Sequence, residues 1–94
     1  MKIKEFRRDR MTIEQFAELH DLTMEVHERY PGNWYAHFEN SDIKEGAILK
    51  RAYGNGVNKE NAIKNYADEI SGTLLVLNAM SDDRKEIRVP LLNA

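Results

Sequence analysis

Cysteine is absent from the sequence, and so are long apolar runs. Without cysteine the chain has neither a disulfide scaffold nor a zinc site that needs thiolates, and the absence is neutral to weakly favourable for a cytoplasmic location. No apolar stretch approaches the roughly 18 residues that a transmembrane helix needs. The charged opening, residues 1–10, has no apolar stretch behind it and does not predict a signal peptide. We therefore expect a cytoplasmic protein that does not bind membranes.

Excess positive charge is missing as well, since 16 acidic side chains outnumber 14 basic ones and the net charge is -2. Nucleic-acid binders rely on Lys and Arg to neutralise phosphates, so this balance disfavours that class. The charge is uneven, however, because residues 1–10 carry five basic and two acidic side chains. Two interpretations stay open for this segment: a solvated tail, or a basic arm in which Arg7, Arg8 and Arg10 contact nucleic acid or an acidic partner.

The 94 residues predict a single domain, residues 1–94, with the basic arm at 1–10 and a folded body at 12–92. Hydrophobic residues make up 41% and charged residues 32%, as in a soluble globular domain rather than a disordered chain. Changes of hydrophobic period along the body predict the order α-β-β-β-α-β-β. A three-stranded antiparallel meander with helices on one face would give a two-layer α+β fold.

The first half of the body is predicted to be a helix followed by a meander. Thr12 and Gln15 have the spacing of a capping box, which predicts a helix in "MTIEQFAELHD". The alternation in "LTMEVHER" and "NWYAHFEN" predicts two strands, and Pro31-Gly32 between them predicts a turn, so the strands should form a hairpin. The polar segment "SDIKEG" is predicted to be a second turn, and "AILKRAY" the third strand.

The second half is predicted to be a helix followed by two strands. Gly54-Asn55-Gly56 is predicted to be a turn, Asn58 an N-cap, and Gly72 the left-handed residue that ends the helix. The apolar run "TLLVLNAM" predicts a strand that is either buried on both faces or paired with another copy. The segment "IRVP" predicts a short strand at a sheet edge, because its proline ends it.

The segment from Trp34 to Ala67 resembles the double-stranded RNA-binding domain, and residues Gly54 to Ile63 carry its motif. That family joins its third strand to its last helix through Gly-x-Gly-x-Ser-Lys-Lys-x-Ala-Lys, and this chain has Gly-Asn-Gly-Val-Asn-Lys-Glu-Asn-Ala-Ile. The resemblance implies the fold of that family and a role for Lys59 in contacting phosphates. Glu60 and Ile63 stand where the family has its other two lysines, which disfavours RNA binding.

Two further resemblances concern the helix and the chain as a whole. The stretch "VNKENAIKNYADEIS" is similar to the helix of the HicB antitoxin group, whose core order is β-β-β-α-β, although the chain has no room for that group's separate DNA-binding domain. The aromatic hairpin, the Gly-Asn-Gly turn, this helix and the final Arg-x-x-Ile-x-Val-Pro resemble small phage and prophage accessory proteins. That resemblance implies a protein that works in the cytoplasm of a phage's host.

Catalytic motifs are not found. The sequence has no Gly-x-Ser-x-Gly elbow, and its three serines fall in predicted turns or helix ends, so we expect no enzyme. "GNGVNK" lacks the pattern of a Walker A loop, but a helix N-terminus after glycines can bind an anion. The candidate residues for an anion or nucleic acid are therefore, besides the basic arm, Gly54, Asn55, Gly56, Lys59 and Lys64.

Histidines and aromatic residues of the hairpin raise two other hypotheses. Glu25, His27 and His37 would share the outer face of the sheet, yet their spacing matches no ligand motif, so we expect surface histidines and no metal or other cofactor. The same open face offers aromatic and basic groups, of the kind that anchor protein partners or stack nucleic-acid bases. The candidate partner-binding residues are Tyr35, His37, Lys50 and Arg51, together with Ile87 and Val89 of the last strand.

The function that we expect is protein binding by a small phage-type accessory protein, such as inhibition of a host factor or a defence complex. The alternatives are a nucleic-acid-binding module with the double-stranded RNA-binding fold and a fragment of a HicB-like antitoxin. We also expect a homodimer, because "LLVL" and the last strand would offer apolar surface and a sheet edge.

Overall fold

The computed structural model describes residues 10–94, which contain two helices and two antiparallel sheets. The α+β class predicted from the sequence is confirmed, whereas the single meander is replaced by two sheets. One sheet has the order β1-β2-β5, and the other has the order β4-β3-β6-β7. The elements are α1 (Ile13–His20), β1 (Met24–Tyr30), β2 (Asn33–Phe38), β3 (Ser41–Glu45), β4 (Ile48–Lys50), β5 (Gly54–Gly56), α2 (Lys59–Ile70), β6 (Leu74–Leu77) and β7 (Lys85–Arg88).

Helix α1 begins at the predicted capping box. The Thr12 hydroxyl accepts a hydrogen bond from the Gln15 backbone N–H at 3.1 Å, and the Gln15 side chain accepts one from the Thr12 N–H at 2.9 Å. These bonds satisfy two of the backbone donors that a helix start leaves open. The start of α1 is also tied to the end of the chain, because Asn93 accepts from the Ile13 N–H and donates to the Met11 carbonyl.

The predicted hairpin is formed by β1 and β2, which pair antiparallel across the Pro31-Gly32 turn. Alternate residues of β2 then face opposite sides of the sheet. Ala36 and Phe38 are fully buried on the inner face. The Phe38 ring lies between the two helices, with centroids 6.2 Å from Phe16 of α1 and 5.4 Å from Tyr66 of α2. Both helices therefore contact the inner face.

The prediction of a turn at residues 41–46 is wrong, because this polar segment forms β3. Ser41 and Ile43 alternate inward and are buried, while Asp42 between them points outward. The Ser41 hydroxyl donates to the Phe38 carbonyl at 2.7 Å, which compensates for burying it. The predicted third strand shrinks to β4, and it pairs with β3 instead of with the hairpin.

The third strand of the hairpin's sheet is β5, the segment predicted to be a Gly-x-Gly turn. It pairs with β2 so that Tyr35 lies opposite Asn55. A side chain at Gly54 would collide with the Ala62 carbonyl oxygen, and one at Gly56 with the Ala62 N–H. The two glycines are thus needed because the backbone of α2 lies directly against this strand.

Helix α2 has the predicted cap and the predicted buried stripe. The Asn58 side chain accepts from the Asn61 N–H at 2.8 Å, and Gly72 past the helix end has φ 77°. The stripe comprises Ala62, Tyr66, Ala67 and Ile70, which are buried, and Ile63, which is partly buried.

Strand β6 is central in its sheet and is buried on both faces, as the first of the two sequence interpretations expected. Leu75, Val76 and Leu77 are buried, and the strand pairs with β3 on one side and β7 on the other. The prediction that "LLVL" offers a free edge or apolar surface is therefore wrong. Strand β7 is at the end of its sheet, which confirms the predicted edge position.

Candidate functional site

Four aromatic rings form a contiguous cluster on the outer face of the three-stranded sheet. They belong to His27 of β1, Tyr35 and His37 of β2, and Tyr53 just before β5, and we call them the aromatic platform. The ring centroids are 5.3 Å apart for His27 and Tyr35, 5.8 Å for Tyr35 and Tyr53, and 5.0 Å for His37 and Tyr53. These separations are those of rings in mutual contact. The rings contact one another, so any ligand of this face would lie on top of them.

The strand register assembles the platform. Because side chains alternate along a strand, Glu25 and His27 share one face of β1 with Tyr35 and His37 of β2. His27 lies directly opposite Tyr35, and Glu25 lies opposite His37. The helices pack on the other face, where Ala36 and Phe38 are buried, whereas Tyr53 is 38% exposed. The outer face thus presents mainly the rings of Tyr53 and His27 to solvent, since the His27 side chain is 52% exposed and that of His37 only 16%.

An arginine extends the platform at one side. The guanidinium carbon of Arg29 is 4.7 Å from the Tyr35 ring centroid, which is a cation–π contact. Among residues 10–94, no carboxylate lies within ion-pair distance of Arg29. Within this part of the chain its charge is therefore available to an acidic group beside the rings.

The carboxylate of Glu25 lies between the two histidines. Its Oε2 atom is 3.3 Å from His37 Nε2 and 3.6 Å from His27 Nε2. His37 Nδ1 is 2.9 Å from the Phe38 carbonyl oxygen, which can only accept, so Nδ1 carries the proton of this bond. Within residues 10–94, no group of three His, Cys, Asp or Glu side chains is placed to hold a metal ion.

Lys50 and Arg51, which the sequence predicts on this face, lie in two different places. Arg51 Nε is 3.6 Å from Asp42 Oδ1, and the hydrogen bond with Tyr53, followed by the charges of Tyr53 and Asp42, raises the Arg51 pKa. Arg51 thus lies beside Tyr53, at the rim of the platform. Lys50 belongs to the other sheet, where its Nζ is 3.2 Å from Glu45 Oε1.

The residues predicted as an anion site are mostly occupied within the fold. Gly54 and Gly56 make room for the backbone of α2, and the Asn55 carbonyl accepts a hydrogen bond from the Asn65 amide. Lys64 Nζ is 3.1 Å from Asp68 Oδ2. Lys59 lines an apolar groove between α1, β1 and α2. The structure therefore does not bring these residues together, and the glycines have a packing role.

The two candidate binding residues of the last strand, Ile87 and Val89, are partly or fully buried. Val89 is 1% exposed and belongs to the core, and Ile87 is partly buried against it. The Val89 side chain is therefore unavailable to a partner, which corrects its place among the candidate binding residues. The exposed residues of β7 are Lys85, Glu86 and Arg88. Of the basic arm, Arg10 is exposed, whereas Arg7 and Arg8 lie outside the described residues.

Sequence reasoning missed Arg29 and Tyr53 as parts of the site. The alternation that placed His27 on the outer face continues to Arg29, so this signal was present in the sequence. Tyr53 stands two residues before Asn55, which would place it on the outer face, but only if residues 54–56 are recognised as a strand.

A second concave region lies where the loops at one end of the molecule meet. This cleft of about 580 Å³ is lined by the only three non-glycine residues with positive φ in residues 10–94, namely Asp21, Asn40 and Asn78. Acidic and basic side chains line it together, with Asp82 and Asp83 beside Arg84 and Lys85.

Comparison with known proteins gives no relative: no family model, curated protein or solved structure matches the chain. Neither helix in residues 10–94 is long and apolar enough to cross a bilayer.

Proposed function

We propose that the protein acts by binding another protein through the aromatic platform and Arg29, without catalysis. The observation that carries this proposal is the stack of Arg29 on Tyr35 within four contiguous rings on a sheet face that both helices leave uncovered. Aromatic and arginine side chains supply most of the binding energy in protein interfaces, because they combine a large apolar area with fixed polar groups.

The chemistry of the platform indicates the chemistry of the partner. A carboxylate would pair with Arg29, and an apolar or planar group beside it would cover the rings of Tyr35 and Tyr53. Asp42 already neutralises Arg51, and Glu25 places a negative charge beside the histidines. The partner segment is therefore acidic at one position and apolar next to it, rather than uniformly acidic.

Nucleic-acid binding is the second candidate, because the same rings could stack with bases. The distribution of positive charge gives it less support. Lys50, Arg51 and Lys64 each have a carboxylate within ion-pair distance. The net charge of -2 also opposes the approach of a polyanion. Binding of double-stranded RNA, which the glycine motif suggests, has even less support, since Glu60 and Ile63 stand where that family has two phosphate-binding lysines.

The biological role that we propose follows from the resemblance to phage accessory proteins. A small, acidic protein with one partner-binding face is suited to cover a surface of a host factor or a defence complex. The HicB-like alternative predicts a cognate toxin as the partner. Both versions use the same platform, so the experiment below applies to either.

The test compares two exposed tyrosines by affinity capture from lysate. Tyr53→Ala and Arg29→Glu alter the platform, whereas Tyr30→Ala removes a tyrosine outside it that is more exposed, 59% against 38% for Tyr53. We expect wild type and Tyr30→Ala to capture the same protein, and both platform variants to lose it. A peptide from an acidic segment of that protein should compete. Equal capture by all four proteins would contradict the proposal.

A second experiment tests nucleic-acid binding directly. Short single-stranded oligonucleotides are titrated into the wild type at about 50 mM and about 200 mM salt, with fluorescence anisotropy as the readout. Tight binding that weakens steeply with salt, and that Tyr53→Ala abolishes, would favour nucleic acid over a protein partner. No binding at the lower salt concentration would remove that candidate.

A further inference from the structure

Strand β7 leaves one side of its backbone without partners among residues 10–94. The Val89 N–H donates to the Thr73 carbonyl at 2.9 Å, and the Val89 carbonyl accepts from the Gly72 N–H at 3.0 Å. Because successive residues of a strand direct these groups to opposite sides, Ile87 also points toward β6. The N–H and carbonyl groups of Glu86 and Arg88 consequently point to the open edge of the sheet.

Symmetry restricts how a second copy can pair with this edge. In an antiparallel pair related by a two-fold axis, only residues whose backbone groups face outward can exchange hydrogen bonds. Three registers satisfy this condition near the middle of the strand. One places Glu86 opposite Glu86, one places Arg88 opposite Arg88, and one is centred on Ile87 and places Glu86 opposite Arg88.

Charge selects one of the three registers. The register with Glu86 opposite Glu86 brings two carboxylates together. The register with Arg88 opposite Arg88 brings two guanidinium groups together, and it also places Glu86 opposite Pro90, which has no N–H. Like charges directly opposite each other destabilise a strand pair, whereas opposite charges stabilise it. The register centred on Ile87 opposes Glu86 and Arg88 twice and uses all four of their outward backbone groups.

We infer that two copies of the chain associate through β7 in the register centred on Ile87. The two four-stranded sheets then form one continuous eight-stranded sheet, in which Ile87 of one copy lies directly opposite Ile87 of the other. The occupant is a second copy because the sequence Glu86-Ile87-Arg88 is its own complement when it is read in the antiparallel direction. This edge is separate from the aromatic platform, so the dimer presents two platforms.

Charge reversal tests the register. In Arg88→Glu two carboxylate pairs face each other, and in Glu86→Arg two guanidinium pairs do. Each single variant should raise the dimer dissociation constant about tenfold or more, measured by analytical ultracentrifugation. The double variant should restore dimerisation, and so should an equimolar mixture of the two single variants, because that mixture opposes unlike charges again. Circular dichroism checks that every variant is folded.

A cysteine cross-link tests the same register independently, since the chain has no cysteine of its own. Ile87→Cys places two thiols in a non-hydrogen-bonded pair with Cα atoms about 4.5 Å apart, within the range of a disulfide. The matched control is Lys85→Cys, because residue 85 lies opposite Val89 and the two thiols are then roughly 13 Å apart along the strands. We expect Ile87→Cys to form a covalent dimer on oxidation and Lys85→Cys not to.

Two outcomes would overturn the inference. If the wild type sediments as a monomer at its highest soluble concentration, the edge of β7 does not pair with a second copy. Dimerisation that is unaffected by Arg88→Glu, or equal cross-linking at positions 85 and 87, means that the copies meet elsewhere.

Discussion

The Tyr66 hydroxyl accepts a hydrogen bond from the backbone N–H of Phe38 at 3.1 Å, although the two residues are 28 positions apart in the sequence. The same hydroxyl is 3.4 Å from the Ser41 hydroxyl. Helix α2 is therefore joined to the point where the chain leaves the three-stranded sheet and enters the four-stranded sheet. This contact is polar, but it lies in the centre of the core.

Replacing Tyr66 by Phe is expected to destabilise the protein. The substitution keeps the ring and removes the hydroxyl, which leaves the buried Phe38 N–H without its partner. We expect a loss of about 1–3 kcal/mol in the free energy of unfolding. Urea unfolding measures this loss, and Tyr30→Phe, at an exposed tyrosine, is the control with no expected effect. Equal stability of both variants would show that water can replace the hydroxyl.

The stability of the protein should also fall at alkaline pH because of Tyr66. Burial raises the pKa of its hydroxyl, and the hydrogen bonds with Phe38 and Ser41 only partly oppose this effect. The unfolded chain, with a tyrosine pKa near its ordinary value of about 10, therefore loses this proton at lower pH than the folded protein. Stability is then independent of this group below pH of about 10 and decreases as the pH rises further.

The measurement for this prediction is a difference between two proteins. Lysines and exposed tyrosines titrate in the same range, so the free energy of unfolding is compared for wild type and Tyr66→Phe from about pH 8 to about pH 11. We expect the wild type to lose more stability than the variant over this interval. Parallel curves would mean that Tyr66 ionises equally easily in the folded and unfolded chains.

Gly54→Ala should be among the most destabilising single substitutions in the chain. The added methyl group would meet the backbone of α2 at Ala62, which cannot rotate away as a side chain could. Overpacking of this kind costs about 1–3 kcal/mol or more. Gly32→Asn is the comparison, because the space around Gly32 is open and Asn accepts its positive φ. Thermal unfolding should show a much larger decrease in Tm for Gly54→Ala.

Asn58→Ala should destabilise α2 from its first turn. The alanine cannot accept the hydrogen bond from the Asn61 N–H, and loss of such a cap costs about 1 kcal/mol. Asn58→Asp keeps an acceptor at the same place and should retain the stability. If both variants unfold at the same urea concentration as the wild type, the cap contributes nothing measurable.

Much of the fold follows from local signals in the sequence. The capping box at Thr12, the hairpin around Pro31 and the apolar stripe of α2 each depend on residues a few positions apart. The strand at residues 41–45 could not be predicted this way, because its polar composition resembles a turn. It becomes a strand because Ser41 pairs with Leu77, far along the chain, and this tertiary contact outweighs local preference.

The candidate site was predictable to the extent that it depends on one hairpin. Alternation along β2 places Tyr35 and His37 on the outer face without knowledge of the rest of the fold. Tyr53 joins them only because β5 pairs with β2, and Lys50 leaves them because β4 pairs with β3. Both facts follow from long-range pairing that no local pattern of the sequence reports.

The hydrogen bonds of Asn93 with Met11 and Ile13 have a mechanical consequence. They join the beginning and the end of the described chain outside the two named sheets. A force applied between residues 11 and 93 would load these two bonds before it reached a helix or a sheet. Once they open, the force would act on the Leu92 N–H, which donates to the Ser71 hydroxyl at 2.9 Å, while the sheets would still be intact.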